Sequence, residues 1–217
     1  MSVLVFVFNG KVITMEEILP GVFHWTTFHE GIEQDVHSYY ISGTDPAILI
    51  DPRVPDEGIK WFEKYNMPKH IYLTNRHHYR HSGRFNKAFK AKVWCHKDGL
   101  HEFTKGEPVK PFKHGDKLPG NIVALRVGVL CPEETALYIP VSDGIISIGD
   151  AIVRYGDELG FVPDYLMGDD PEGVKNGLRK VFQSILEADF DHLLFAHGEP
   201  WIGGAKKGLS KFLDELQ

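Results

Sequence analysis

The stretch His70-Ile-Tyr-Leu-Thr-Asn-Arg-His-His-Tyr-Arg-His-Ser-Gly83 decides how this chain is read. Its apolar start predicts a strand over 70–74, and its end leads into a helical pattern over 84–90. Between them stand His77, His78 and His81. A strand end that presents several imidazoles in a loop before a helix is a common way to assemble a transition-metal site. The carboxylate such a loop usually contains is missing, and Arg76 and Arg80 stand among the imidazoles. An arginine can bind a carboxylate or phosphate with two parallel hydrogen bonds, so this loop also fits an anion site.

Outward from this loop, strand and helix patterns alternate. Strands are predicted over 21–25, 38–41, 47–50, 91–95, 122–129, 135–139, 145–148 and 192–196. Helices are predicted from residue 56 to the stop at Asn66-Met-Pro68, near 97–103, and after Asp170-Pro171-Glu172. That last start combines a capping carboxylate, proline at the first helical position and a first-turn acid. Val174, Leu178, Val181, Phe182, Ile185 and Leu186 then trace one apolar stripe, and Leu209, Phe212, Leu213 and Leu216 trace another. Residues 107–120, rich in Pro, Lys and Gly, read as a long surface connection. The run Val3-Leu-Val-Phe-Val-Phe8, the turn Asn9-Gly10 and Lys11-Val-Ile-Thr14 predict an extra β-hairpin within 1–14. With no linker or repeat, the chain is expected to form one domain over 1–217, two β-rich halves packed sheet on sheet with helices outside.

The bounds agree. A chain of 217 residues with 42% hydrophobic and 25% charged content is that of a soluble globular protein. A formal charge of −6 argues against nucleic acid as a partner. The N-terminal apolar run is far too short to span a bilayer. Cys95 and Cys131 provide no disulfide framework and fit a reducing cytoplasm, the expected location. Between Arg84 and Lys117 nine Lys/Arg face four Asp/Glu, the pattern of a solvated face or of a basic lip beside a cleft.

The strand ends supply the remaining chemistry. Asp51 ends the Ala-Ile-Leu-Ile run, Gly149-Asp150 follows Ile145-Ile-Ser-Ile148, and His197-Gly198 follows His192-Leu-Leu-Phe-Ala196. Imidazoles and carboxylates at the ends of separate strands make a plausible pocket rim.

Taken in order, Ile48-Leu-Ile-Asp51, the 74–83 loop, Ser147-Ile-Gly-Asp150 and Phe195-Ala-His-Gly198 resemble the landmarks of the metallo-β-lactamase fold superfamily of metal hydrolases. Ile18-Leu-Pro-Gly-Val-Phe23 and Gly203-Gly-Ala-Lys-Lys-Gly-Leu209 are similar to family members as well, so the resemblance covers nearly all of the chain from Met15. It implies an α/β (α+β) protein built as a four-layer αββα sandwich of two mixed sheets. The departures lie in the ligands. A gapless match to the family's Thr-His-x-His-x-Asp-His motif puts Asn75, His77, Tyr79 and Arg80 at its four ligand positions. A one-residue slide puts Arg76, His78, Arg80 and His81 there instead. The family's Gly-His-Thr-Pro-Gly turn falls on Val129-Leu-Cys-Pro-Glu133, with Leu130 at the ligand position and Cys131 beside it. The candidate metal ligands are therefore His77, His78, His81, Asp150 and His197, enough for one ion (zinc, iron or manganese) and not two, with a metal-free protein as the alternative. Asp150 and His78 are the expected catalytic residues; Arg76, Arg80 and Tyr155 are the expected substrate contacts; Asp51 is expected to orient a ligand. The implied function is hydrolysis of a small ester, thioester or lactone, or else silent binding of an anionic small molecule or protein partner through Arg76 and Arg80.

Overall fold

A computed structural model describes residues 15–216; the hairpin expected within 1–14 lies outside them. The first sheet contains β1 (Glu16–Leu19), β2 (Val22–His29), β3 (Gln34–Ile41), β4 (Ile48–Ile50), β5 (His70–Tyr72), β6 (Lys92–His96) and β7 (Val109–Phe112), in that spatial order. Pairing is antiparallel from β1 to β4 and parallel from β4 to β7. The second sheet contains β8 (Lys117–Leu118), β9 (Ile122–Arg126), β10 (Thr135–Ile139), β11 (Ile145–Ile148) and β14 (His192–Phe195), in the order β14-β11-β10-β9-β8. A two-stranded ribbon of β12 (Ile152–Tyr155) and β13 (Glu158–Phe161) leaves between β11 and β14.

Side-chain alternation sorts the core into three layers. Val22, Tyr39, Ile41, Ile48, Ile50 and Tyr72 of the first sheet meet Ile122, Ala124, Leu137, Ile139, Ile145 and Leu194 of the second. The outer face of the first sheet, with Trp25, Tyr40, Leu49, Ile71 and Val93, is covered by Phe62 and by Phe85 of α1 (Ser82–Phe89). The outer face of the second, with Ala136, Ile146, Ile148, Leu193 and Phe195, is covered by α2 (Pro171–Ile185) and α3 (Ala205–Glu215). This is the αββα sandwich of two mixed sheets. Strands β4, β11 and β14 are buried on both faces, which is why they read as unbroken apolar runs rather than as alternating ones.

Three expectations are corrected. The helices predicted from 56 and near 97 are 3₁₀ turns, Ile59–Lys64 and Lys97–Glu102, six residues each, too short to repay helix nucleation. Residues 107–120 contain β7 and β8 rather than a plain connection, because edge pairing tolerates the Pro and Lys that made them look like a loop. The β12–β13 ribbon carried too weak an alternation to be predicted. Among the described residues, no helix is long and apolar enough to cross a membrane.

Candidate metal centre

Parallel register builds the first half of the site. β11 and β14 pair Ile148 with Phe195, and Ala196 N donates to Ile148 O at 3.0 Å, so the next residues, Asp150 and His197, emerge side by side. Two glycines make this possible. A Cβ at Gly149 would stand 2.9 Å from Thr74 Oγ1, and Gly198, at φ +106°, presses on Arg154, whose carbonyl would be 2.3 Å from such a Cβ.

The other half comes from the ends of β4 and β5, which are also parallel neighbours. Asp51, 2% exposed, accepts from Thr74 N at Oδ1 (2.9 Å) and from Thr74 Oγ1 at Oδ2 (2.5 Å). Asn75 then caps a tight 3₁₀ turn, Arg76–Tyr79, by accepting from His77 N, and this turn sorts the imidazoles. His78 points inward and is 6% exposed, its Nδ1 2.9 Å from Asp51 Oδ2 and its Nε2 3.0 Å from Asp150 Oδ1. His197 Nε2 lies 3.2 Å from the same Asp150 oxygen. Asp150 Oδ2 is taken by Asn75 Nδ2 at 2.9 Å.

Asp150 Oδ1 is buried and stands between the two imidazoles, in ionic contact with both. The three side chains converge, with one ligand atom from each of His78, Asp150 and His197 within 4.8 Å of the others. This donor set fits a divalent transition ion: two imidazole nitrogens and a carboxylate oxygen, three protein ligands with a further position open. Asp51 takes the Nδ1 proton of His78 and so leaves Nε2 as the ligating atom, a second partner of the kind that metal-bound histidines usually have.

Without an ion, the cluster is held by charge. Burial works against a charged His78, but the carboxylates of Asp150 and Asp51 outweigh it and raise its pKa to about 9. Burial likewise works against the Asp150 anion, which the His78 charge and the contact with His197 nevertheless hold well below the usual carboxylate range. Asp51 is lowered for the same reason, against its own burial. Behind them Glu134 is fully buried; burial first and the Asp150 charge second push its carboxyl up to about 8, and Oε1 accepts from Ala151 N at 2.7 Å.

The other sequence candidates stand elsewhere. His77 is exposed, 3.9 Å from Glu102, because the 3₁₀ turn sends it outward. His81 Nδ1 accepts from Val54 N at 2.9 Å, and burial with Arg53 and Arg84 nearby lowers its pKa to about 4. Neither matched register is followed as a whole: the gapless match loses His77, and the slide keeps His78 while losing His81. Arg76 pairs with the buried carboxylate of Glu133, and Arg80 donates to the carbonyls of His37 (2.7 Å) and Asp51 (2.8 Å). Arg76 is thus paired within the protein, while Arg80 uses Nη1 internally and has its buried Nη2 without a hydrogen-bond partner. Cys131 accepts a long contact from Asn75, 3.6 Å, and also meets Glu133 and Arg76, while Leu130 packs against the second-sheet core. Tyr155, 54% exposed, lies over Gly160 on the β12–β13 ribbon. Of the basic stretch 84–117, Lys97 and Lys113 line a cavity of about 510 Å³ with His96, Asp98, His114 and Arg126. Sequence reasoning gave no role to Asn75 beyond a lost ligand, nor to His24 and His37; cross-strand position is the only signal that joins the latter two.

No family model matches the sequence, and no curated protein matches it. Solved structures do. The metallo-β-lactamase DIM-1 exposed to ceftazidime superposes with a TM-score of 0.65 at 16% identity, over 94% of this chain and 98% of that one. The chain has the metallo-β-lactamase fold. Other proteins with this fold carry metals: the di-iron-bound form of TTHA1623 aligns at 20% identity with a TM-score of 0.61, over 82% of this chain and 93% of that one. A flavoprotein from Thermotoga maritima matches with a TM-score of 0.66 at 16% identity, over 93% of this chain but 60% of its own. On this metallo-β-lactamase fold, the His78–Asp150–His197 cluster sits at the ends of the central strands, where open α/β sheets place their ligands.

Proposed function

We propose that the protein is a hydrolase-like member of the metallo-β-lactamase superfamily that holds one divalent ion, zinc, iron or manganese, on His78, Asp150 and His197 and acts on a small ester, thioester or lactone. The observation that carries this reading is the convergence of His78, Asp150 and His197, with the buried Asp150 Oδ1 3.0 and 3.2 Å from two imidazole nitrogens. When bound, such an ion supplies a water acidified to about neutral pH and a Lewis acid for a carbonyl. The chain supplies the rest. Asp51 and Thr74 fix the His78 tautomer, Asn75 turns Asp150 so that Oδ1 is the ligating oxygen, and the β11–β14 register fixes the spacing of Asp150 and His197. Tyr155, exposed in the segment after Asp150, is the proposed contact for the non-polar part of a substrate. The binding of an anion by Arg76 and Arg80 has less support, since Arg76 pairs with Glu133 and Arg80 Nη1 is held by the His37 and Asp51 carbonyls, which leaves only the buried Arg80 Nη2.

The test pairs metal content with a panel of p-nitrophenyl esters, thioesters and lactones. The expected result is metal-dependent turnover that Asp150→Ala and His197→Ala remove together with one equivalent of metal. Turnover that persists in metal-stripped protein, or an Asp150→Ala variant with unchanged metal content, would overturn the proposal.

A further inference from the structure

We infer that His24, His37 and Glu199 form a second transition-metal site, distinct from the Asp150 centre, for a divalent first-row ion of the zinc class. The register of β2 on β3 pairs His24 with Tyr39 and Thr26 with His37, so the two histidines are diagonal neighbours on the face that looks toward the second sheet. They are 5% and 4% exposed. Their rings stack at 5.1 Å and 7°, with His24 Nε2 2.8 Å from His37 Nδ1, and His24 also stacks on Tyr39 at 5.2 Å.

Glu199 arrives from the second sheet, two residues after His197. Its turn is pinned on both sides: His37 N donates to Ala196 O at 3.1 Å, and Arg154 N donates to His197 O at 3.2 Å beside Gly198. One ligand atom from each of His24, His37 and Glu199 lies within 4.8 Å of the others. An ion with bonds of about 2.0–2.2 Å holds its donors roughly 3–3.5 Å apart, so the histidine nitrogens need to separate by only a few tenths of an ångström. The ion takes the place of the proton between the rings, and the donor ring moves that proton to its other nitrogen. Two imidazoles and a carboxylate suit zinc, iron, cobalt or nickel rather than magnesium or calcium. Glu199 is exposed, so the site opens to solvent on the carboxylate side. Arg80, on the His37 carbonyl, adds a positive charge nearby that an ion must tolerate.

Because the 197–199 turn carries a ligand of each site, the test must separate them. Untagged full-length chain, stripped with a chelator, is titrated with cobalt(II), following visible absorption and bound metal by equilibrium dialysis. The wild type is expected to bind two equivalents, and Asp150→Asn to retain one. Glu199→Gln, a change at an exposed position, should weaken that retained equivalent by at least about a hundredfold, since loss of even an outer partner costs 10–100-fold. His37→Gln should do the same, with circular dichroism confirming the fold of each variant. The proposal is overturned if the Asp150→Asn protein binds no cobalt, or binds it equally with and without Glu199. Neither outcome depends on hydrolysis or on the Asp150 centre being occupied.

Discussion

Two carboxylates flank the same imidazole, and they are used differently. Asp51 is saturated: its oxygens accept from Thr74 N, Thr74 Oγ1 and His78 Nδ1. Asp150 has one oxygen held by Asn75 and the other set between His78 Nε2 and His197 Nε2. Both are ionised and both stabilise a charged His78 when no metal is present. Chemical type alone therefore does not separate an orienting carboxylate from a ligating one; the partners do, backbone and hydroxyl donors fixing Asp51 while Asp150 Oδ1 faces two imidazole nitrogens.

The sharpest way to break this distinction is to remove each carboxylate in turn. Asp150→Ala is expected to lower affinity at the centre by more than about a hundredfold, because a ligand is lost. Isothermal titration with zinc measures this, and a loss below tenfold contradicts the assignment. Asp51→Asn should cost less metal affinity, about 10–100-fold, because it only frees the His78 tautomer. It should cost more stability than a surface change, about 1–3 kcal/mol, since a buried amide donor then faces the Thr74 and His78 donors. If Asp51→Asn abolished binding while Asp150→Ala did not, the roles would be reversed.

pH offers a third lever. In the metal-free protein the folded pKa of His78 is raised from 6.5 to about 9. Its stabilising contribution is complete below pH 6.5 and is lost as pH rises through 9, a decline of up to about 3 kcal/mol. Urea melts of stripped protein between pH 6 and 9.5 should show this fall, and saturating metal should remove it, since the ion replaces the proton on Nε2. Glu134 adds a separate slope. Its pKa, raised from 4.5 to about 8, gives stability that is full below pH 4.5 and lost as pH rises to about 8. Glu134→Gln keeps the acceptor for Ala151 N and is expected to raise Tm at pH 8.5 while changing it little at pH 4.5. The smallest effect is expected at His77. Exposed and outside the cluster, it should tolerate His77→Ala within about 0.5 kcal/mol and with unchanged metal content.

Legibility followed the kind of element that carries each residue. Asp150 and His197 could be placed from sequence because they end apolar strands, and a parallel register turns two strand ends into neighbours. The same logic placed Asp51. The 75–81 loop could not be resolved, because a 3₁₀ turn capped by Asn75 decides which imidazole faces inward, and neither spacing nor a sliding match encodes that turn. His81 looked like a ligand and instead accepts from Val54 N, a backbone need visible only in three dimensions. The arginines looked like replacements for lost metals; Arg76 meets Glu133, a buried acid that the Cys-Pro-Glu-Glu run did not advertise. His24 and His37 lie thirteen positions apart and become a pair only through the β2–β3 register.

The central claim is that His78 Nε2, Asp150 Oδ1 and His197 Nε2 converge on one ion. Crystals grown with zinc and measured on both sides of the zinc absorption edge test it directly. The expected result is an anomalous peak about 2.0–2.2 Å from all three atoms. A saturated crystal with no peak there, and Asp150 Oδ1 hydrogen-bonded to His78 instead, would contradict it.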